Sequence, residues 1–150
     1  MNLHIQTNLQ DFRMVDQISF LDPTRIEGLT SLDGLPVAMA IESLAQLGAL
    51  HARFLTEFEK HCFLLVIEQL YVGETNLPRE SIALKGLLVG QSKRAFSYDV
   101  EATYQGTVFL GGRLDFGSID YDDRFRRENL KPHYESIFAC LTKDLPKSSH

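Results

Sequence analysis

The sequence predicts an α+β domain in which one curved antiparallel sheet wraps around one long central helix. Three observations predict this class. Strand-like segments flank a single long helix-forming stretch, in the order β-β-α-β-β-β-β. The last three of these segments are joined by short connections typical of hairpins, which favour antiparallel pairing. The helix-forming stretch is apolar on every side of its first turns, so that it must be buried all round.

The predicted elements follow from local patterns along the chain. The central helix is predicted to start at Pro36, after the turn signal Asp33-Gly34, and to turn polar only after Arg53, ending near Lys60. Strands are predicted over residues 12–21, 25–32, 62–72, 81–89, 95–104 and 107–116.

The C-terminal part is assigned to the same single domain. Residues 1–120 hold the sheet and the central helix, and residues 121–150 form a charged segment with a short amphipathic helix over residues 132–141. The charged segment contains the basic residues Arg124, Arg126, Arg127 and Lys131. This basic cluster either docks an acidic partner protein or is a solvated helix flank, and the acidic residues beside it favour the second interpretation.

The composition is that of one ordinary globular domain. The chain has 150 residues, of which 44% are hydrophobic and 23% charged, and its net charge is −5. These values exclude a disordered or fibrous protein. The mild acidic excess argues against nucleic acid or an anionic membrane as the main partner. Cys62 and Cys140 show no spacing typical of a disulfide scaffold or a zinc site, so no metal or redox cofactor is expected.

Neither a signal peptide nor a membrane span is expected. The N-terminal segment MNLHIQTNLQDF is polar and has no basic region followed by an apolar stretch. The most apolar long segment, residues 35–50, contains Glu42 and Gln46 and is shorter than the roughly 20 residues that a membrane helix needs. A cytoplasmic location with reduced thiols is therefore expected.

Glu42 is the most informative residue for function, because it lies in the first turns of the most apolar helix. Burial raises the pKa of a carboxylate, which suits a general acid or base. Alternatively, Glu42 stabilises the helix N-terminus or pairs within a dimer interface. Gln46 follows one turn later and is expected to hydrogen-bond Glu42 or a ligand carbonyl.

The segment around Glu42 resembles the central helix of the 3-hydroxyacyl-carrier-protein dehydratases of fatty-acid biosynthesis. That family typically reads M-P-G-x-x-x-x-E-A-x-A-Q, and Leu35, Pro36, Glu42, Ala45 and Gln46 align with it in register. A weaker likeness extends over roughly residues 12–117. The resemblance implies the hotdog fold, a dimer, and a lyase reaction on an acyl thioester carried by acyl carrier protein or coenzyme A.

The chain departs from this family at one catalytic position. In the family the helix Glu works with a His from the partner subunit, and that position is Gly28 here, with no His between His4 and His51. A spacing of nine residues places His51 on the side of the helix opposite to Glu42. All five histidines are expected at the surface or in capping positions, namely His4, His51, His61, His133 and His150.

Three functions stay open on the sequence. The first is a dehydratase-like protein that binds an acyl thioester and either lacks activity or uses Glu42 with Asp33 or Ser31 in place of the family His. The second is a hotdog thioesterase with Glu42 as general base or nucleophile and a helix N-terminal N–H on the thioester carbonyl. The third is a non-catalytic structural or carrier-protein-binding subunit.

The same residues form the predicted site in all three functions. Glu42 is the candidate catalytic group. The predicted substrate-binding residues are Gln46 and the loop residues Asp33, Gly34, Leu35, Pro36 and Val37. A homodimer is expected, without bound nucleic acid and without insertion into a membrane.

Overall fold

The computed structural model describes residues 14–32, 36, 38–73 and 80–146 of the chain. Its elements are β1 (Gln17–Asp22), β2 (Arg25–Thr30), α1 (Met39–Leu55), β3 (His61–Val72), β4 (Ile82–Gln91), β5 (Ala95–Tyr104), β6 (Thr107–Ile119) and α2 (Arg127–Leu141). All neighbouring strands pair antiparallel in the order β1-β2-β4-β5-β6-β3, and α1 packs against this sheet. The predicted α+β class is therefore confirmed. No helix in this part of the chain is long and apolar enough to cross a bilayer.

The core lies between α1 and the inner face of the sheet. Alternate residues of β5, including Phe96, Tyr98 and Val100, are buried, as the two-residue period of a strand requires. On α1, Gly48 allows the ring of Phe116 to pack directly on the helix backbone, because a Cβ at this position would lie 2.6 Å from Phe116 Cζ. This close approach explains a glycine within a helix that it would otherwise weaken.

A buried hydrogen-bonded bridge joins α1 to β1 and β5. His51 Nε2 donates to the Asp22 carbonyl at 2.7 Å, and its Nδ1 accepts from the Tyr98 hydroxyl at 2.6 Å. A carbonyl oxygen can only accept, so Nε2 carries a proton. Burial lowers the pKa of His51 and so favours the neutral ring, with Nδ1 as acceptor. The surface or capping position expected for His51 was wrong, since this residue is fully buried.

α1 ends earlier than the sequence predicts. The amino-acid pattern continues the helix to about residue 60, but the helix ends at Leu55. It ends there because Glu57 and Phe58 adopt positive φ angles of 55° and 62°. The Phe58 N–H then donates to the Arg53 carbonyl at 2.7 Å, a closure typical of helix C-termini that usually contain glycine.

β3 is an edge strand, and within the described residues it pairs with β6 alone. Cys62 at its start is buried, as predicted, whereas the remainder of the strand is largely exposed. Seven large apolar side chains here are 37% to 59% exposed: Leu64, Leu65, Val66, Ile67, Leu70, Tyr71 and Val72. An unpaired edge with so much exposed apolar surface is typical of an interface.

α2 starts at Arg127, five residues before the predicted start at Pro132. Pro132 therefore lies inside the helix, in its second turn. It directly follows the first turn, whose backbone N–H groups have no intrahelical acceptor in any helix. Arg127 and Lys131 form ion pairs with Glu59 at 3.2 and 3.5 Å, which hold this additional turn against the end of α1. Leu141 is the one buried residue of α2 in the described chain.

The basic cluster predicted before and within α2 is largely neutralised by neighbouring carboxylates. Arg126 pairs with Glu128, and Lys131 pairs with Glu135 at 2.8 Å in addition to Glu59. These side chains therefore form a solvated helix flank, the interpretation that the charge pattern favours.

Candidate functional site

The cavity that contains Glu42 lies between α1, the start of β3 and α2, and its volume is about 270 Å³. α1 contributes a stripe of side chains that includes Glu42, Gln46, Ala49 and Arg53. Spacings of four, three and four residues place these side chains on one helix face. The facing walls are formed by Cys62 and Leu64 from β3 and by His133, Tyr134, Ile137 and Leu141 from α2. The cavity therefore follows α1 for about three turns.

Glu42 and Gln46 form the hydrogen-bonded pair that the sequence predicts. Gln46 Nε2 donates to Glu42 Oε2 at 3.1 Å, while Gln46 Oε1 accepts from the Met14 backbone N–H at 2.8 Å. The expected burial of Glu42 was wrong, because the residue is exposed at one end of the cavity. Leu44 and Leu47, which are close to it in the sequence, belong to the buried core, whereas Glu42 lies on the helix face directed at the cavity.

The loop before α1 is described only in part. Pro36 is exposed, and its carbonyl accepts from the Met39 N–H at 2.9 Å, which begins the helix. The predicted substrate-binding residues Asp33, Gly34, Leu35 and Val37 lie outside the described residues. Their proposed contact with a thioester carbonyl therefore stays a prediction.

Arg53 lies at the other end of the cavity and is only 3% exposed. Its Nη2 donates to the Cys62 carbonyl at 2.8 Å and to His61 Nδ1 at 3.4 Å. The guanidinium carbon lies 3.6 Å from the centre of the Tyr134 ring, a cation–π contact. Arg53 was not among the predicted site residues, although its spacing of eleven residues from Glu42 places both on the same helix face.

Burial and the charge of Arg53 control the protonation of neighbouring groups. Burial, followed by the Arg53 charge, lowers the pKa of His61 to about 4 and also lowers the pKa of His133. Burial raises the pKa of the Cys62 thiol, against the effect of Arg53. At neutral pH these neighbours are uncharged, so the two ends of the cavity carry opposite charges, negative at Glu42 and positive at Arg53.

The described histidines do not supply Glu42 with a catalytic partner. His51 bonds to β1 and β5, His61 contacts Arg53, and His133 lies in the cavity wall near the Arg53 end. The expected surface position of His133 is therefore corrected to a place in the cavity wall. In the described part of the chain, no three His, Cys, Asp or Glu side chains lie close enough together to hold a metal ion.

Comparison with known proteins shows the fold of this chain. No protein-family model and no curated protein matches its sequence. A mutant thioesterase from Pseudomonas aeruginosa has a TM-score of 0.65 at 10% identity, covering 77% of this chain and 88% of the other. A putative thioesterase from Lactococcus lactis also has a TM-score of 0.65, at 11% identity, covering 81% of this chain and 100% of the other. The dehydratase heterocomplex ApeI:P from Xenorhabdus doucetiae has a TM-score of 0.59 at 15% identity, covering 76% and 86%.

These neighbours, together with the antiparallel sheet and its central helix, show that the chain has the hotdog fold. At 10–15% identity the likeness extends to the fold alone. The function is therefore inferred from the cavity.

Proposed function

We propose that this chain binds an acyl thioester in the cavity along α1, with Glu42 as the catalytic acid or base. The observation that carries the proposal is a carboxylate, held by Gln46, at one end of a mainly apolar cavity. Apolar walls suit an acyl chain, and an exposed carboxylate is accessible to water and to a thioester. The loop from Asp33 to Val37 would then hold the thioester carbonyl at the start of α1.

Hydrolysis is the reaction that this arrangement favours. Glu42 would remove a proton from water, the water oxygen would attack the thioester carbonyl, and the carbon–sulfur bond would break as the thiolate leaves and takes up the proton. This reaction needs one base, and the carboxylate of Glu42 suffices. That solved structures described as thioesterases share this fold is compatible with the proposal.

Dehydration of 3-hydroxyacyl thioesters is the second candidate, and the match of Pro36, Glu42, Ala45 and Gln46 to the dehydratase helix favours it. Elimination needs one group that removes the α proton and another that protonates the leaving hydroxyl. No described histidine lies beside Glu42, so Asp33 or Ser31 would have to supply the second group. This additional requirement ranks dehydration below hydrolysis.

We also propose that the functional form is a homodimer built on the β3 edge. A second copy would pair with the unpaired strand and cover its seven exposed apolar side chains. Leu64 belongs both to this edge and to the cavity wall, so the partner would lie beside the site.

The test compares two substrates with two variants. Purified protein is incubated with saturated and with 3-hydroxy acyl thioesters of coenzyme A and of acyl carrier protein, while free thiol and enoyl product are measured. We expect thiol release by the wild-type protein and a decrease of kcat of about 10²–10⁴-fold in Glu42→Gln, since the general base is lost. Glu57→Gln, which changes an exposed carboxylate outside the cavity, is the control and should leave kcat unchanged.

The products distinguish the alternatives. If enoyl product is formed and its formation depends on Glu42, the reaction is dehydration and not hydrolysis. Binding of acyl thioesters without turnover would identify a non-catalytic subunit. An equal rate in Glu42→Gln and wild type would contradict the role of Glu42.

A further inference from the structure

Arg53 is a buried charge without a carboxylate partner in the described structure. It is 3% exposed, and none of the ion pairs among the described residues includes it. A backbone carbonyl and the Tyr134 ring stabilise the guanidinium but do not neutralise it. An uncompensated buried charge is destabilising, so a fold that retains one usually has a use for it.

Two buried nitrogen atoms at this end of the cavity have no hydrogen-bond partner within the described chain. They are Arg53 Nη1 on α1 and His133 Nε2 on α2. Both residues line the cavity, and the Arg53 charge acts on the His133 ring. Because Tyr134 covers a face of the guanidinium, an acceptor would meet Arg53 in the plane of its N–H groups.

A structural role explains only part of this arrangement. The bond from Arg53 Nη2 to the Cys62 carbonyl joins α1 to β3 and would suffice to hold them. It leaves Nη1 unpaired, and buried donors in folded proteins are nearly always paired. The missing partner must be an acceptor, and a negative acceptor would also neutralise the guanidinium.

We propose that the Arg53 end of the cavity binds a carboxylate at the end of an apolar chain, with Arg53 Nη1 and His133 Nε2 as donors. This inference rests on the proposed acyl-thioester function and specifies its substrate: an acyl group whose far end carries a carboxylate. Its thioester would lie at Glu42. The opposite orientation would bring the carboxylate against Glu42, and like charges would disfavour it.

The separation of the two ends sets the length of this substrate. Eleven residues of helix separate Glu42 from Arg53, which corresponds to about 16 Å along α1. Ala49 and the apolar side chains of β3 and α2 line the space between them. A straight acyl chain of medium length would therefore span the cavity.

The test uses two probes that differ only in the terminal carboxylate: dodecanedioic acid monomethyl ester and methyl dodecanoate. Dissociation constants are measured by isothermal titration calorimetry with the full chain. We expect the wild-type protein to bind the acid at least tenfold more tightly than methyl dodecanoate. Arg53→Met and, independently, His133→Phe should abolish that preference and still bind methyl dodecanoate. Arg124→Met, an exposed arginine without an ion pair in the described structure, should behave like the wild type.

A merely structural Arg53 would change stability and the binding of both probes alike, leaving their ratio unchanged. Equal binding of the two probes by the wild type, or a preference that persists in both variants, would overturn the carboxylate inference and leave acyl binding intact. If neither probe binds, both this inference and the proposed function fail. His133→Phe keeps the test decisive if Arg53→Met does not fold.

Discussion

Glu42 shows that a candidate catalytic carboxylate need not be buried in order to be oriented. Gln46 donates to it and is itself held by the Met14 N–H, so these two residues fix the carboxylate at the end of the cavity. The helix sets the spacing of Glu42 and Gln46, and the Met14 N–H in the segment before β1 fixes the Gln46 side chain. Gln46 is therefore a positioning residue, because it acts through Glu42.

His51 makes the stability of the fold depend on pH. Burial lowers the pKa of His51 below its ordinary value of 6.5, so the unfolded chain takes up this proton first on acidification. The stabilisation is complete above pH 6.5 and decreases as the pH falls toward the folded-state pKa. Protonation would also convert Nδ1 from an acceptor into a donor, so the bond with Tyr98 would have to reverse, with the hydroxyl as acceptor.

We expect the free energy of unfolding to decrease below about pH 6.5, measured by urea denaturation between about pH 7.5 and pH 4.5. In His51→Gln, whose amide keeps one donor and one acceptor but does not titrate, the slope should be smaller by up to about 1.4 kcal/mol per pH unit. Tyr98→Phe should instead cost about 1–3 kcal/mol at neutral pH, since Nδ1 loses its donor. An unchanged slope in His51→Gln would exclude His51 as the titrating group.

At the scale of elements, α2 is the least firmly held part of the described structure. Phe138 stacks on Phe54 of α1 and meets Phe58 edge-on, with ring centres 5.8 and 5.2 Å apart. Apart from Leu141, the residues of α2 are half-buried or exposed. This helix nevertheless supplies one wall of the cavity, so its attachment governs how well that wall is formed.

Phe138→Ala should therefore release α2 while the sheet stays folded. We expect a loss of about 1–3 kcal/mol, since the side chain is only partly buried, and faster amide hydrogen exchange confined to residues 127–141. Ser136→Ala, at an exposed position of the same helix, is the control. Exchange that accelerates equally in β4 and β5 would contradict this independence of α2.

The elements differ in how far the sequence could predict them. β4 to β6 agree with their predictions within a few residues, because the short turns between them determine their pairing locally. β3 agrees as well, and a continuous run of bulky apolar residues predicted it. The end of α1 was missed since Glu57 and Phe58 are unusual in left-handed backbone. The start of α2 was placed at Pro132 because the apolar residues spaced by three and four, from Tyr134 to Leu141, follow it, whereas the preceding turn depends on ion pairs to Glu59, a distant residue in the chain.

At the scale of the whole molecule, the exposed β3 edge predicts self-association. Val66→Lys places a charge on that edge and should convert a dimer into a monomer in sedimentation equilibrium at micromolar concentration. Val89→Lys is the matched control, because Val89 is 43% exposed but lies on β4, which has partners on both sides. A wild-type monomer, or a dimer that persists in Val66→Lys, would contradict the proposed interface.

The candidate site could be predicted only where it is local in sequence. The Glu42–Gln46 pair follows from helical spacing, and it is present. The cavity also needs β3 and α2, whose positions depend on tertiary packing that no short motif encodes. The sequence pattern marks Arg53 only as the residue after which the helix turns polar, because its burial becomes visible only when Cys62 and Tyr134 are placed around it.

In the proposed site, the spacing of Glu42 and Arg53 on α1 would determine the length of a bound acyl chain. Both ends of the cavity belong to α1, which packs against the sheet along its length. The distance between the two ends is therefore set by the rise of the helix and not by loops. Substitutions of wall residues would alter how wide a bound chain can be, and a bulky side chain that blocks the cavity would shorten it, but none would increase the distance between the two ends. A change in the distance between the two ends would require adding or deleting a full helical turn of α1. The length of the bound chain is therefore the property of the ligand that evolution could alter least easily here.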